Sequence, residues 1–159
     1  MTSTGIRVRR MLPHDEQAVF ELYREVVDDG GAGPVGGEAT LEVFRQGWTR
    51  DRDVFVAVED DRVVGSFFVR SNFPAFAAHI AQSGYIVARS ARRRGIGRAL
   101  LRDSLRKATE LGYRAMMFNL VFTGNPSRAM YESAGFTVIG RIPDARQDED
   151  ALIYWRALP

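Results

Sequence analysis

The residues whose types and spacing could do chemistry are concentrated in Tyr85-Ile-Val-Ala-Arg-Ser-Ala-Arg-Arg-Arg-Gly-Ile-Gly-Arg-Ala-Leu100. The apolar run Tyr85–Ala88 reads as a strand, and the segment after the glycines reads as an amphipathic helix running to Gly112. A glycine-bearing turn between strand and helix gathers unpaired backbone N–H groups and the positive end of a helix dipole at one point. Arg92, Arg93, Arg94 and Arg98 surround that point. Such a place suits a phosphate-bearing ligand. The competing interpretation is a solvated basic turn or a nucleic-acid patch, but a net charge of +2 does not itself point to nucleic acid.

Other residues carry chemistry less clearly. In Asn125-Pro-Ser-Arg-Ala-Met-Tyr131-Glu-Ser-Ala-Gly135-Phe136 the start reads as an N-cap followed by proline at the first helical position, and Gly135 as the stop. Tyr131 at helical spacing fits either a core tyrosine or a phenol that handles a proton. His79 fits an interior or loop histidine, or a base. Met116-Met117-Phe118 is most simply core, with the lining of an acceptor pocket as the second interpretation. Gly31-x-Gly33-x-x-Gly36 matches the dinucleotide fingerprint letter by letter. It follows a helix rather than a strand and contains Pro34, so it reads as a loop.

Composition removes several classes of chemistry. The chain has no cysteine, which excludes thiol nucleophiles, disulfides and thiolate metal sites. Its two histidines, His14 and His79, are far apart and form no H-E-x-x-H pattern, so no metal is expected. No apolar run approaches the roughly 20 residues that span a bilayer, and the first residues lack a signal-peptide core. The expectation is a cytoplasmic protein without membrane or nucleic-acid partners. At 159 residues it is expected to fold as one domain over residues 1–159.

The elements that must position these residues follow in order. Gly5–Leu12 predicts a strand, and Pro13–Glu16 starts a helix with Val19, Phe20, Leu22, Tyr23, Val26 and Val27 on one face. Asp28–Gly37 reads as a loop, and Leu41–Trp48 as a short helix. Val54–Val58 and Val63–Val69 form a hairpin across Asp60-Asp61. An apolar loop, Asn72–Ala78, leads into a strand over 79–88. In the following helix Leu100, Leu101, Leu105, Ala108 and Leu111 face the core, while Arg102, Arg106, Lys107 and Glu110 face out. Ala115–Phe122 is a strand, as are Phe136–Ile142 and Ala151–Trp155, with Pro143–Asp150 as an acidic connection. The order is β-α-α-β-β-β-α-β-α-β-β.

Two motifs in this order resemble one family. Val87 to Leu101, with Arg92-Arg-Arg-Gly95-Ile-Gly97, resembles the Q/R-x-x-G-x-G/A acyl-CoA motif of the GNAT N-acetyltransferases. Asn125–Phe136 resembles that family's N-x-x-A-x-x-(Y)-(E)-x-x-G-F signature. The resemblance implies an α/β fold with a mixed sheet of six to seven strands and about four helices. It implies acetyl-CoA as cosubstrate and no metal. The diphosphate would take backbone N–H groups between Arg93 and Ala99, including those of Ile96 and Gly97, with charge-assisted contacts from Arg92, Arg94 and Arg98. Asn125 and Arg128 would join the coenzyme site. The pantetheine arm would pair with the backbone of Tyr85, Ile86 and Val87, and the thioester would sit between strands 79–88 and 115–122.

The implied reaction is direct attack of an amine on the thioester. Strand N–H groups near Val87 would polarise the carbonyl, and Tyr131 would serve the departing thiolate as general acid. No carboxylate lies on either central strand, so His79, Glu38, Asp144 and Asp148 are the candidate bases. The acidic residues of 28–37 and 143–150 suggest a cationic acceptor, with solubility as the other explanation. Asn72, Pro74, His79, Phe118 and Asn119 also fit a pattern of small microbial members of the family. A small molecule and a peptide both remain open as acceptor. A homodimer remains open too, with Phe73–Ala78 as interface or acceptor-site wall. A silent acyl-CoA-binding module of the same fold is the alternative to an enzyme.

Overall fold

Runs of valine and phenylalanine draw β2 (Asp53–Glu59) and β3 (Arg62–Ser71) into an antiparallel hairpin. Asp60 and Asp61 both take positive φ, 47° and 59°, the conformation a two-residue turn needs to match strand twist. The structure, a computed structural model, describes residues 5–30 and 38–159. The glycine pattern Gly31–Gly36, and with it most of the 28–37 loop, lies outside the described residues.

The remaining strands are β1 (Arg7–Arg10), β4 (Ile80–Val87), β5 (Ala115–Phe122), β6 (Thr137–Arg146) and β7 (Glu149–Ala157). Together they make a seven-stranded mixed sheet in the order β1-β2-β3-β4-β5-β7-β6. β4 and β5 are parallel, in register at Ile80↔Ala115 and Ala81↔Met116. The α-helices among the described residues are α1 (Glu16–Asp28), α2 (Leu41–Phe44), α3 (Ile96–Glu110) and α4 (Arg128–Ser133). The element order is the expected one.

By internal packing the chain divides into two compact units, Met1–Arg70 with Gly84–Ser104, and Ser71–Ser83 with Leu105–Pro159. In the first unit, Phe55 and Phe67 stack at 4.9 Å, and Tyr85 reaches Ser104 of α3 through a 2.6 Å hydroxyl contact. Gly65 lets α3 close on this face, because a Cβ there would stand 3.1 Å from Leu100 Cδ1. On the opposite face, Trp48 donates from its indole to Ser66 Oγ at 3.1 Å and meets Phe68 edge-on at 4.9 Å. Tyr23 of α1 and Phe44 of α2 extend this aromatic layer. The buried Asp15 carboxylate anchors the start of α1, accepting from Leu12 N–H at 2.7 Å and from both terminal nitrogens of Arg9.

In the second unit, Phe118 stacks on Phe136 at 4.6 Å beside the fully buried Tyr154. α4 ends as expected at Gly135, with φ 91°. Phe136 N–H donates to Tyr131 O and Gly135 N–H to Glu132 O, the paired bonds of a Schellman stop.

Four expectations change. Pro143–Asp150 is not a connection: β6 runs to Arg146, β7 starts at Glu149, and Gln147-Asp148 is the turn. Two of the four acidic residues there are paired, Asp150 with Arg141 and Glu149 with Arg146. α4 begins at Arg128 after Ser127, so Asn125 caps from outside, its Oδ1 accepting from Ser127 N–H at 2.8 Å. Leu111 lies past the end of α3 and is exposed, whereas Ser104, outside the expected apolar face, is fully buried. Ser104 tolerates burial because its hydroxyl donates to Leu101 O and meets Tyr85 OH. Leu41–Trp48 is one helical turn followed by a π-turn over Arg45–Thr49.

Candidate active site

In the first unit β4 delivers Tyr85, Ile86 and Val87 to a 3₁₀ turn, Arg89–Ala91, and then to the arginine run. Arg93 and Gly95 take positive φ, 62° and 80°, with Ile96 buried just behind them as the first residue of α3. Alternating handedness at 93 and 95 turns successive N–H groups toward a common concavity, the form of backbone anion nests. The N–H groups of Ile96, Gly97 and Arg98 have no acceptor inside the helix they open. A Cβ on Gly95 would meet nothing within 4 Å, so its surroundings are open and only φ demands glycine. Ala99 departs from expectation: its N–H already donates to Gly95 O at 3.1 Å, and the donor run ends one residue earlier.

The arginines are not equivalent. Arg92 pairs with Asp29 at 2.8 Å, and its Nε points to Val87 O at 3.4 Å. Arg89, which the sequence did not single out, also binds Asp29, while its N–H donates to Glu25. The two guanidiniums hold the Asp29 carboxyl below the usual carboxylate range. Arg94 is held by both oxygens of Glu59, next to a polar pocket lined by Asp60, Arg62 and Ser90. Arg93 and Arg98 carry no ion pair among the described residues. They are the cations already available to an anion, whereas Arg92 and Arg94 must share theirs with carboxylates.

The second unit holds the other candidates. The Tyr131 ring lies among Phe118 at 4.8 Å, Tyr154 at 5.8 Å and Phe136 at 6.2 Å. Burial raises its pKa above the ordinary tyrosine value, opposed by a hydrogen bond with Ser127. Arg128 is committed within this unit: Nε donates to Tyr154 OH at 3.0 Å and Nη1 to Thr123 O at 2.9 Å. His79 stands just before β4, and its Nδ1 faces Phe76 O at 3.1 Å. If Nδ1 donates there, Nε2 keeps the lone pair. Of the carboxylate candidates, Glu38 is exposed, and Asp144 and Asp148 sit at positive φ in the β6–β7 hairpin.

A feature of this unit that sequence reasoning left without a role is an amide lock. Asn72 and Asn119 exchange two 2.6 Å hydrogen bonds, and Asn72 Nδ2 also donates to Met117 O at 3.2 Å. It ties the 72–79 loop, where Ala75 has φ 55° and Phe76 is wholly exposed, to β5.

Comparison with known proteins gives the family. A family model described as the acetyltransferase (GNAT) family matches residues 18–136. N-acetyltransferase aca1 of Schizosaccharomyces pombe is 38% identical over 84 residues, which cover 52% of this chain and 40% of that protein. The chain thus spans well under half the length of that relative. YwnH of Bacillus subtilis, provisionally named a phosphinothricin acetyltransferase, is 30% identical over 142 residues, covering 84% of this chain and 86% of the relative. A solved GCN5-related N-acetyltransferase from Kribbella flavida superposes with a TM-score of 0.87 at 32% identity, over 96% of this chain and 98% of that one.

Proposed function

Because the chain belongs to the acetyltransferase (GNAT) family, we propose that it transfers the acetyl group of acetyl-CoA to a primary amine. The observation that carries the coenzyme half is the turn from β4 into α3, with positive φ at Arg93 and Gly95 and open N–H groups behind them. In this reading Arg93, Gly95, Ile96, Gly97 and Arg98 cradle the diphosphate. Arg92 and Arg94 contribute after loosening from Asp29 and Glu59, and the backbone of Tyr85–Val87 receives the pantetheine. Arg128 contributes only by giving up Tyr154 and Thr123, so its part in binding is secondary.

The amine lone pair attacks the thioester carbonyl carbon, the C–S bond breaks, and the coenzyme leaves as a thiolate that gains a proton. A tyrosine near 10 protonating a thiol near 8.5 is uphill by roughly 2 kcal/mol before any shift. The raised pKa of Tyr131 makes full transfer harder still but keeps the phenol protonated. Tyr131 therefore serves as a hydrogen-bond donor to the thiolate. The amine must also lose a proton: an alkylammonium near pKa 10 costs about 4 kcal/mol to neutralise at pH 7. His79 Nε2 is the candidate acceptor of that proton.

Two linked measurements test the proposal. A ligand at a hundred times its Kd adds about 2.7 kcal/mol of stability, so acetyl-CoA should raise the melting temperature clearly. Thiol release across an amine panel should then show turnover. Stabilisation without turnover would assign a silent acyl-CoA-binding module instead. No stabilisation would overturn the coenzyme assignment.

A further inference from the structure

The 72–79 loop is held to β5 at two points within the second unit. Arg114 N–H, just before β5, donates to His79 O at 2.9 Å and fixes the far end of the loop. Asn119, further along the same strand, holds the near end through Asn72. A single anchor would let the loop pivot, whereas two on one strand fix its direction as well as its place. The loop also closes on itself, since Ser71 Oγ donates to Ala78 O at 3.0 Å and Asn72 N–H to Ile80 O at 2.8 Å.

The amide pair has a defined orientation. Each side chain gives one hydrogen and accepts one at 2.6 Å, and the second hydrogen of Asn72 Nδ2 goes to Met117 O at 3.2 Å. A carbonyl only accepts, so Met117 O settles which Asn72 atom is the nitrogen, and the exchange then settles Asn119.

Inside the loop, Ala75 opens a 3₁₀ turn, Ala75–Ala77, at φ 55°. An alanine in that conformation is strained and keeps it only where its surroundings fix it. The turn brings Phe76 O to 3.1 Å from His79 Nδ1. Because that oxygen only accepts, the proton belongs on Nδ1. Nε2 makes no hydrogen bond among the described residues and keeps its lone pair.

We propose that Asn72 and Asn119 are positioning residues for the reaction: together they hold the 72–79 loop so that Phe76 O fixes His79 in the Nδ1–H tautomer and leaves Nε2 as the base. The inference rests on the acetyl-transfer reading. One N–H bond of the acceptor ammonium breaks, its proton forms a bond to Nε2, and the electron pair left on the amine attacks the thioester. The ring becomes an imidazolium, and its Nδ1–H bond to Phe76 O strengthens as it does so.

Ring nitrogen NMR reads the tautomer without turnover. His14 is the other histidine of the chain, so a His14→Gln background leaves one ring to observe. At pH 9, where imidazole is uncharged, that ring should be in the Nδ1–H form, and Asn119→Ala should turn it into a mixture. An Nε2–H ring in the His14→Gln background, or an unchanged tautomer in Asn119→Ala, would overturn the proposal. Asn72→Ser breaks the same exchange from the other side and serves both tests should Asn119→Ala not fold.

Thiol release reads the chemistry, with ethylamine beside trifluoroethylamine, whose fluorines leave it largely neutral at pH 7. Asn119→Ala should lower kcat for ethylamine about tenfold or more, part of the roughly 10²–10⁴-fold that a general base contributes. The KM for acetyl-CoA should hold, and the loss with trifluoroethylamine should stay under about threefold, because that amine has no proton to give up before attack. Equal losses with both amines would mean general weakening of the fold and would overturn the positioning role. A His79→Gln variant as fast as the wild type with ethylamine would remove the base and the proposal with it. A tautomer that follows the lock, without turnover of any amine, would sink the enzymatic reading and keep the hold of the loop on His79.

Discussion

At the scale of single residues, Tyr131 shows how environment sharpens a role that sequence leaves double. Its spacing in Asn125–Phe136 fits a core tyrosine and a functional phenol equally well, and its surroundings supply both: three aromatic rings, and a pKa raised by burial. A hydrogen bond to a charged partner contributes about 1.5–3 kcal/mol. Tyr131→Phe should therefore lower kcat about ten- to a hundredfold, with a smaller change in the KM for acetyl-CoA. Steady-state kinetics with the best acceptor checks this, and an unchanged kcat would remove the residue from the mechanism. Because the shift is upward, the wild-type rate should show no descending limb from Tyr131 through pH 9. The arginines teach the opposite lesson. Their clustering was legible, but which were already spoken for was not. Asp29 and Glu59 lie far from the cluster in sequence and reach Arg92 and Arg94 only through the fold.

At the scale of elements, legibility follows how local the signal is. The turn between β2 and β3 and the stop of α4 were readable because Asp60-Asp61 and Gly135 each encode a backbone conformation by themselves. The β6–β7 hairpin was not, because Pro143 and four acidic residues within 143–150 read as loop chemistry. What makes them strand is pairing across the hairpin, Arg141 with Asp150 and Arg146 with Glu149, while Asp144 at φ 47° absorbs the irregularity in register. The turn proposed to hold the coenzyme can be tested as an element. Gly95 needs φ 80° but touches nothing, so the cost of a side chain divides into backbone strain and obstruction of the ligand. Asparagine tolerates positive φ far better than valine. Gly95→Val should lose about 1–2 kcal/mol of stability and bind acetyl-CoA at least tenfold more weakly. Gly95→Asn should keep most of the stability while still binding more weakly. Calorimetric titration beside thermal melts separates the two terms. Wild-type affinity in both variants would mean that the backbone there does not meet the diphosphate.

At the scale of the whole molecule, the charge pattern governs stability against pH. The carboxylates of Asp15, Glu16, Asp29, Glu42, Glu59, Glu110, Glu149 and Asp150 all titrate below their ordinary range, in most cases because arginine hydrogen bonds favour the ionised form. A carboxylate with a lowered folded pKa stabilises fully above its unfolded value of about 4 and loses that contribution as pH falls through the folded one. Tyr23, Tyr131 and Tyr154 shift upward, so their contribution is complete below the unfolded value near 10 and is lost above it. Stability should therefore hold level between about pH 5 and 9 and fall on both sides. Asp29, Glu42 and Glu110 are exposed and Glu16, Glu59, Glu149 and Asp150 partly so, which leaves their pairs screened and individually weak. Asp15 differs: it is 4% exposed, bound by Arg9 through both oxygens and by Leu12 N–H. Asp15→Asn should consequently flatten the acid limb more than any single change among the exposed pairs, and lower stability at pH 7 by about 3 kcal/mol, the lower end for breaking a buried pair. Urea midpoints measured from pH 3 to pH 10 read both effects. A variant whose acid limb matches the wild type would place the acid sensitivity in the exposed pairs instead.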